Sequence, residues 1–153
     1  MHSLKCIVAI LVASIFGMGV AAAQSFHPDP LIVETPTGDR SFQIEVADSE
    51  TLRARGLMFR RRLADDAGML FVYPAPREIT MWMRNTYISL DMLFIDEAGE
   101  IVSIHRRAVP HSLDVIASGG NAQYVLEITG GLARKFGFKV GQIVRHPEIS
   151  PTK

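Results

Sequence analysis

Apolar and polar residues alternate along much of this chain, and the period of two indicates half-buried β-strands. Phe42, Ile44 and Val46 alternate with Gln43 and Glu45, which gives one apolar strand face. Further strands are predicted from apolar segments at 69–73, 80–84, 92–95, 101–106, 124–128 and 142–145. The turn residues at 96–99 predict a hairpin between two of these strands.

Helical signals are few. Asp48 and Ser49 can cap a short helix that has Glu50 in its first turn and Gly56 near its end. A second short helix is predicted at 131–136, before Gly137. Short strands combined with one or two short helices predict a mainly β (α+β) fold. The expected architecture is a compact, curled antiparallel sheet or a small β-barrel.

The chain begins with the pattern of a signal peptide, predicted at 1–23. Lys5 precedes an apolar run at 6–20, and three alanines follow at 21–23. The run is shorter than a membrane span, although an uncleaved N-terminal anchor is the alternative. We therefore expect a periplasmic or secreted protein without a stable membrane span after cleavage. It would have an exposed lead-in at 24–30, a single globular domain at 31–146 and a flexible tail at 147–153.

Composition argues against several classes of function. The leader contains one of the 16 basic residues and none of the 16 acidic ones, so cleavage would leave one net negative charge. That balance argues against a nucleic-acid partner, which requires a basic face. The single cysteine, Cys6, would leave with the leader, and no histidine spacing matches a zinc site. No serine nucleophile motif is present, and no cofactor or metal is predicted.

Several motifs carry a family resemblance. They are Arg55-Gly56-Leu57-Met58-Phe59-Arg60, Gly68-Met69-Leu70-Phe71, Trp82-Met83-Arg84-Asn85-Thr86, Ile88-Ser89-Leu90-Asp91, Tyr124-Val125-Leu126-Glu127-Ile128, and the glycines Gly130, Gly137 and Gly141. In this order and spacing they resemble the domain of unknown function 192 family of bacteria and archaea. The resemblance covers roughly 31–145. It implies a small, mainly β domain that is often exported, and it carries over no catalytic residues.

Two positions depart from the family pattern. Ser89 stands where the family usually has proline, and Arg84 stands where it often has lysine. A role tied to one particular cation geometry at position 84 is therefore not implied by the resemblance.

The motif around Trp82 suggests a ligand site. On a strand, Trp82 and Arg84 would share one face, and an aromatic plane beside a guanidinium can hold a sugar ring or a carboxylate. Asn85 and Thr86 would add hydrogen bonds, and further cations are supplied by Arg55 and Arg60. The structural alternative places Trp82 in the core and pairs Arg84 with an acidic residue.

Asp91 and Glu127 are the candidate catalytic residues. Two carboxylates can serve as acid and base when their environments separate their pKa values. In the structural alternative, Asp91 caps a turn through backbone bonds and Glu127 pairs with an arginine.

Two further features are candidates for a functional role. Met81 and Met83 would lie on one strand face, where their thioethers could hold Cu(I), although methionine is more often a core residue. The segment 107–122 lacks a clear pattern and is a candidate lid, with Gly119 and Gly120 as its hinge.

The leading hypothesis is an exported, non-enzymatic binding module. Its partner would be a small polar or anionic ligand, or an extended segment of an envelope protein. One alternative is a cell-envelope hydrolase or transferase that uses the two carboxylates. Another is a structural or assembly domain without a ligand site.

Overall fold

The computed structural model describes residues 25–149, so the predicted signal peptide lies outside the described residues. The protein is mainly β, with seven strands and two short helices. In chain order these are β1 (Leu31–Val33), β2 (Arg40–Ala47), α1 (Glu50–Arg55), β3 (Ala67–Met81), β4 (Leu90–Ile95), β5 (Ile101–Ala108), β6 (Ile116–Thr129), α2 (Leu132–Lys135) and β7 (Val144–Arg145).

The strands form one curled sheet in the order β5-β4-β6-β3-β2-β1-β7. All pairs are antiparallel except β2 and β3, whose parallel pairing requires the crossover that contains α1. At one end the outer parts of the sheet meet, because Val144 N–H donates to the Gly99 carbonyl over 2.8 Å and Ile101 N–H to the Gln142 carbonyl over 2.9 Å. The predicted curled, mainly β architecture is confirmed.

Local signals were correct for the first helix and the hairpin. The Ser49 hydroxyl accepts a hydrogen bond from the Leu52 N–H, which caps α1 as predicted. Between β4 and β5, the Asp96 carboxylate accepts the N–H groups of Ala98 and Glu100. Gly99 adopts a φ of 88° in this turn, a conformation that favours glycine.

The prediction of two separate strands at 69–73 and 80–84 is wrong. Residues 69–73 and 80–81 belong to the single strand β3, which passes through Pro74 and Pro76 and ends at Met81, and 82–84 lie beyond it. The register with β6 shifts between Val72 and Arg77. Because the prolines lie in this irregularity, their missing N–H groups interrupt no ladder bond.

The prediction that 107–122 is irregular is also wrong, because strand β5 continues to Ala108 and strand β6 begins at Ile116. Gly119 and Gly120 lie inside β6 at a second register shift. There the Ser118 hydroxyl accepts the Ile79 N–H and donates to the Gly120 carbonyl. A side chain therefore replaces the ladder bonds, and only 109–115 remains between the strands.

The two faces of the sheet bury separate apolar clusters. The first cluster contains Phe42, Ile44 and Leu126, with Leu132 of α2 packed against it. The second contains Phe71, Met92 and Val125 and is covered by Leu57, which follows α1. The candidate site lies on this second face.

Both ends of the described chain contact the domain. In the predicted lead-in, the His27 N–H donates to the Ile44 carbonyl over 2.7 Å. In the predicted tail, Ile149 is buried in the first cluster, and 150–153 lie outside the described residues. Within the described range no helix is long and apolar enough to span a membrane.

Candidate functional site

A half-open cavity of about 420 Å³ lies between α1 and the second half of β3. Residues of α1 and the following turn form one wall, and β3 with Trp82 forms the other. The lining includes Glu50, Arg53, Arg55, Met58, Phe71, Tyr73, Arg77, Thr80, Met81, Trp82, Thr86 and Glu127. This volume is in the range typical of small-molecule sites.

Glu127 contributes the buried carboxyl of this cavity. It lies on β6, opposite Met69 of β3 and Met92 of β4, and neighbours in register share a sheet face. Its residue is only 4% exposed. Burial raises the pKa of the Glu127 carboxyl to about 8, because a charge is poorly solvated there.

No partner compensates this carboxyl within the part of the chain that the structure describes. Among residues 25–149 its side chain makes no hydrogen bond or ion pair, so the structural alternative in which Glu127 pairs with an arginine is wrong. Buried carboxyls are normally paired or hydrogen-bonded. Glu127 is therefore a polar group presented to the cavity.

Two arginines in the cavity flank one aromatic ring. The guanidinium of Arg53 lies 5.1 Å and that of Arg77 5.8 Å from the centre of the Tyr73 ring. Arg53 also donates to the carbonyls of Asp48 and Val72, which fixes its position. Burial is the main cause that raises the pKa of Tyr73, the arginines act to lower it, and Glu127 acts to raise it.

Three of the six predicted ligand-binding residues line the cavity: Arg55, Trp82 and Thr86. Arg55 is exposed, and in the described part of the chain its side chain has no hydrogen-bond or ion-pair partner. Trp82 is 51% exposed. It follows the last residue of β3, so the predicted strand conformation of Trp82 and Arg84 is wrong.

The other three predicted residues lie elsewhere. Arg60 makes a bidentate ion pair with buried Glu45, both bonds being 2.5 Å. Arg84 is exposed and does not line the cavity. Asn85 supports the wall, because its carbonyl accepts the Phe59 N–H over 2.8 Å. Its side-chain amide also approaches the Met58 sulfur at 4.0 Å.

The structure does not bring the two candidate catalytic carboxylates together. Asp91 faces Ile128 across the β4–β6 pair, whereas Glu127 faces Met92, so their side chains are on opposite sheet faces. Asp91 lies within β4, not at a turn. It accepts the N–H groups of Arg107, Gly131 and Ala133 at 2.7 to 2.9 Å, which anchors the start of α2.

The predicted methionine pair is not formed on one strand face. Met83 lies beyond β3 and is buried in the second cluster, whereas Met81 lines the cavity and accepts the Tyr73 hydroxyl over 3.6 Å. In the described residues no three His, Cys, Asp or Glu side chains are grouped as a metal site.

Sequence reasoning missed Arg53, Tyr73, Arg77 and Met58 as cavity residues. Arg53 belongs to the arginine-rich segment around α1, which was a usable signal. Tyr73 and Arg77 flank the two prolines of β3, and nothing local indicates that this irregularity faces α1.

The chain is similar to a family of uncharacterised proteins and to two proteins of known crystal structure. The family profile described as "DUF192: Uncharacterized ACR" matches residues 32–146. A proposed transcription regulator from Sinorhizobium meliloti, whose crystal structure is known, is 38% identical in sequence to this chain. The two structures match with a TM-score of 0.77, over 81% of this chain and 97% of that one. A protein of unknown function from Novosphingobium aromaticivorans is 38% identical, with a TM-score of 0.76, over 82% and 94%. No curated protein matches the chain.

Proposed function

This chain belongs to the DUF192 family of uncharacterised proteins, and from its cavity we propose that it is a binding module for a small polar ligand with an anionic group. The observation that carries the proposal is the unpartnered carboxyl of Glu127 inside a cavity whose rim holds Arg55 and Arg77. The two other buried carboxyls of the described residues, Glu45 and Asp91, are compensated, so an uncompensated one is most simply explained by a ligand.

The arginines supply the anion contact. Arg55 has no partner in the described residues, and the side chain of Arg77 makes only one hydrogen bond, over 3.3 Å to the neighbouring Glu78 carbonyl. Guanidinium groups bind carboxylates and phosphates in bidentate geometry. Trp82 adds an exposed aromatic surface beside them, which suits the non-polar part of a ligand.

The proposed setting is outside the cytoplasm, as the sequence of 1–23 predicts. The ligand would then be an envelope or extracellular metabolite or a segment of an envelope protein. The exposed rings of Phe59 and Tyr87, whose centres are 6.2 Å apart, could extend the contact for such a segment.

The test is calorimetric titration of the purified protein with small carboxylates and phosphates. Arg55→Ala and Arg77→Ala should each weaken anion binding about tenfold or more, since each removes a charge-assisted contact. Arg61→Ala is the matched control, because Arg61 is exposed and outside the cavity. Equal affinities in all four proteins, or no binding of any anion, would contradict the proposal.

One observation favours a second candidate function. A carboxyl with a pKa of about 8 is mostly protonated at neutral pH, which is the state of a general acid in hydrolysis or transfer. Asp91 cannot be its partner, so such an enzyme would use Glu127 alone. Turnover of an envelope glycan or ester that disappears in Glu127→Gln would support this function.

A further inference from the structure

We infer that the ligand of this cavity is a zwitterion, with an amine seated on Glu127 and an anionic group held by Arg55 and Arg77. The inference rests on the proposed function, because it assigns the chemistry of the deep end of the same ligand. It is carried by the opposite signs of the groups that the cavity presents along its depth.

When Glu127 is ionised, the buried end of the cavity requires a hydrogen-bond donor or a cation. Glu127 is 4% exposed and has no partner in the described residues, and its neighbours in register, Met69 and Met92, have no donor groups. An ionised carboxylate offers only acceptors. A ligand ammonium group would supply both the missing donors and the missing charge.

None of the charged or titratable groups on the elements around Glu127 binds its carboxyl in place of a ligand amine. Glu50, Arg53 and Arg55 of α1 line the cavity, and so do Tyr73 and Arg77 of β3. Arg53 is held by two backbone carbonyls and by the Tyr73 ring. On the adjoining strand β4, the acidic residue Asp91 faces away to the other side of the sheet. No cation of these elements bonds to Glu127.

The apolar part of the lining suits a short carbon chain. Phe71, Met58 and Met81 contribute aromatic and thioether groups to the cavity. Such side chains accept methylene groups, and an aromatic face attracts an ammonium group. The lining thus combines a buried acidic residue, two exposed arginines and apolar side chains.

The pH dependence of binding follows from burial. Burial raises the pKa of Glu127 to about 8 in the empty cavity, so an amine must displace the carboxyl proton when it binds at pH 7. Affinity for a zwitterion should therefore rise roughly tenfold between pH 7 and pH 8.5. A ligand without an amine gains nothing from this ionisation.

The experiment compares two matched pairs of probes by calorimetry with the purified protein. The first pair is phosphoethanolamine and ethyl phosphate, and the second is γ-aminobutyrate and butyrate. At pH 8.5 we expect at least one zwitterion to bind about tenfold or more tightly than its amine-free partner. In Glu127→Gln this preference should fall to threefold or less, while Glu78→Gln, on the exposed part of β3, should keep it.

The outcomes separate the two proposals. If the anions bind in an Arg55-dependent manner but the amine adds no affinity in either pair, the zwitterion inference is overturned and the binding module stands. If no probe binds, or binding is unaffected by Arg55→Ala, both proposals fail. A far-ultraviolet spectrum like that of the wild type and a cooperative unfolding transition would show that Glu127→Gln is folded, so that a lost preference reports on the site.

Discussion

Three acidic side chains are buried in the described part of this protein, and they differ in their hydrogen-bond and ion-pair partners. Glu45 is bound by the Arg60 guanidinium, and Asp91 accepts three backbone N–H groups. Glu127 receives neither kind of compensation. At the scale of the residue, the candidate site is therefore defined by the lack of a partner for Glu127 among the described residues. This lack should lower the stability of the protein in a way that can be measured.

Glu127→Gln should remove a pH-dependent loss of stability. The pKa of Glu127 is raised from 4.5 to about 8 on folding, so the unfolded chain releases its proton first as pH rises. Wild-type stability should therefore fall between about pH 4.5 and pH 8, by roughly 3 to 5 kcal/mol from this group. Urea unfolding at pH 5 and pH 8 measures the change, and the difference between wild type and variant isolates Glu127.

Glu78→Gln serves as the control for this measurement, because Glu78 is an exposed glutamate on β3. Its pH dependence should match that of the wild type. If Glu127→Gln retains the wild-type pH dependence, then Glu127 is compensated in solution and the argument for an uncompensated carboxyl is lost.

At the scale of the element, the pairing of β3 with β6 positions the wall of the cavity that faces α1. This pair carries Phe71, Tyr73 and Arg77 on one strand and Glu127 on the other. Gly68 lies at the start of the pair, where a Cβ atom would stand 2.7 Å from the Glu127 carbonyl oxygen. The close approach of two backbones explains why this position has no side chain.

Gly68→Ala should destabilise the fold by about 2 to 3 kcal/mol, since the added methyl group meets backbone atoms that cannot move independently. Gly120→Ala, in the same strand pair, is the matched control because its Cβ would meet nothing within 4 Å. Its effect should stay within about 1 kcal/mol. Equal unfolding free energies for the two variants would show that β3 and β6 are not packed this closely.

At the scale of the whole molecule, two histidines join the ends of the described chain. The rings of His27 and His146 are 4.5 Å apart. His146 accepts the Glu148 N–H at Nδ1 over 3.1 Å, and its Nε2 lies 3.2 Å from the Asp29 carbonyl. This arrangement requires a neutral ring with its proton on Nε2, because a protonated ring has no acceptor.

Acidification should release the lead-in from the domain. Burial is the main cause that lowers the pKa of His146, and the charge of His27 acts in the same direction, whereas Glu148 and Asp29 oppose it. The stabilisation is therefore present above about pH 6.5 and is lost as pH falls through the lowered pKa. Amide exchange, corrected for intrinsic rates, should show lower protection of His27 at pH 5 than at pH 7.

The Arg53 amide, which bonds to the Ser49 carbonyl in α1, is the internal reference for this measurement. Its protection should not decrease over the same range. Unchanged protection of His27 at pH 5 would mean that the ring pair does not hold the lead-in.

Local signals in the sequence determined whether most elements are strands or helices. They also determined the family of the protein. Alternation around Ile44, the capping residue Ser49 and the turn ending at Gly99 all act within a few residues, so they predicted a strand, a helix and a hairpin correctly. The order of the motifs was sufficient to predict the family before the profile match confirmed it.

Only the tertiary structure decided which of these residues form the site. The continuity of β3 through Pro74 depends on its partner β6, and the faces of Asp91 and Glu127 depend on register between distant strands. Likewise, Arg60 pairs with Glu45, whereas Glu127 has no hydrogen-bond or ion-pair partner among the described residues. Pairing and register are long-range properties, and a one-residue shift reverses every face, so no local pattern could have located the cavity.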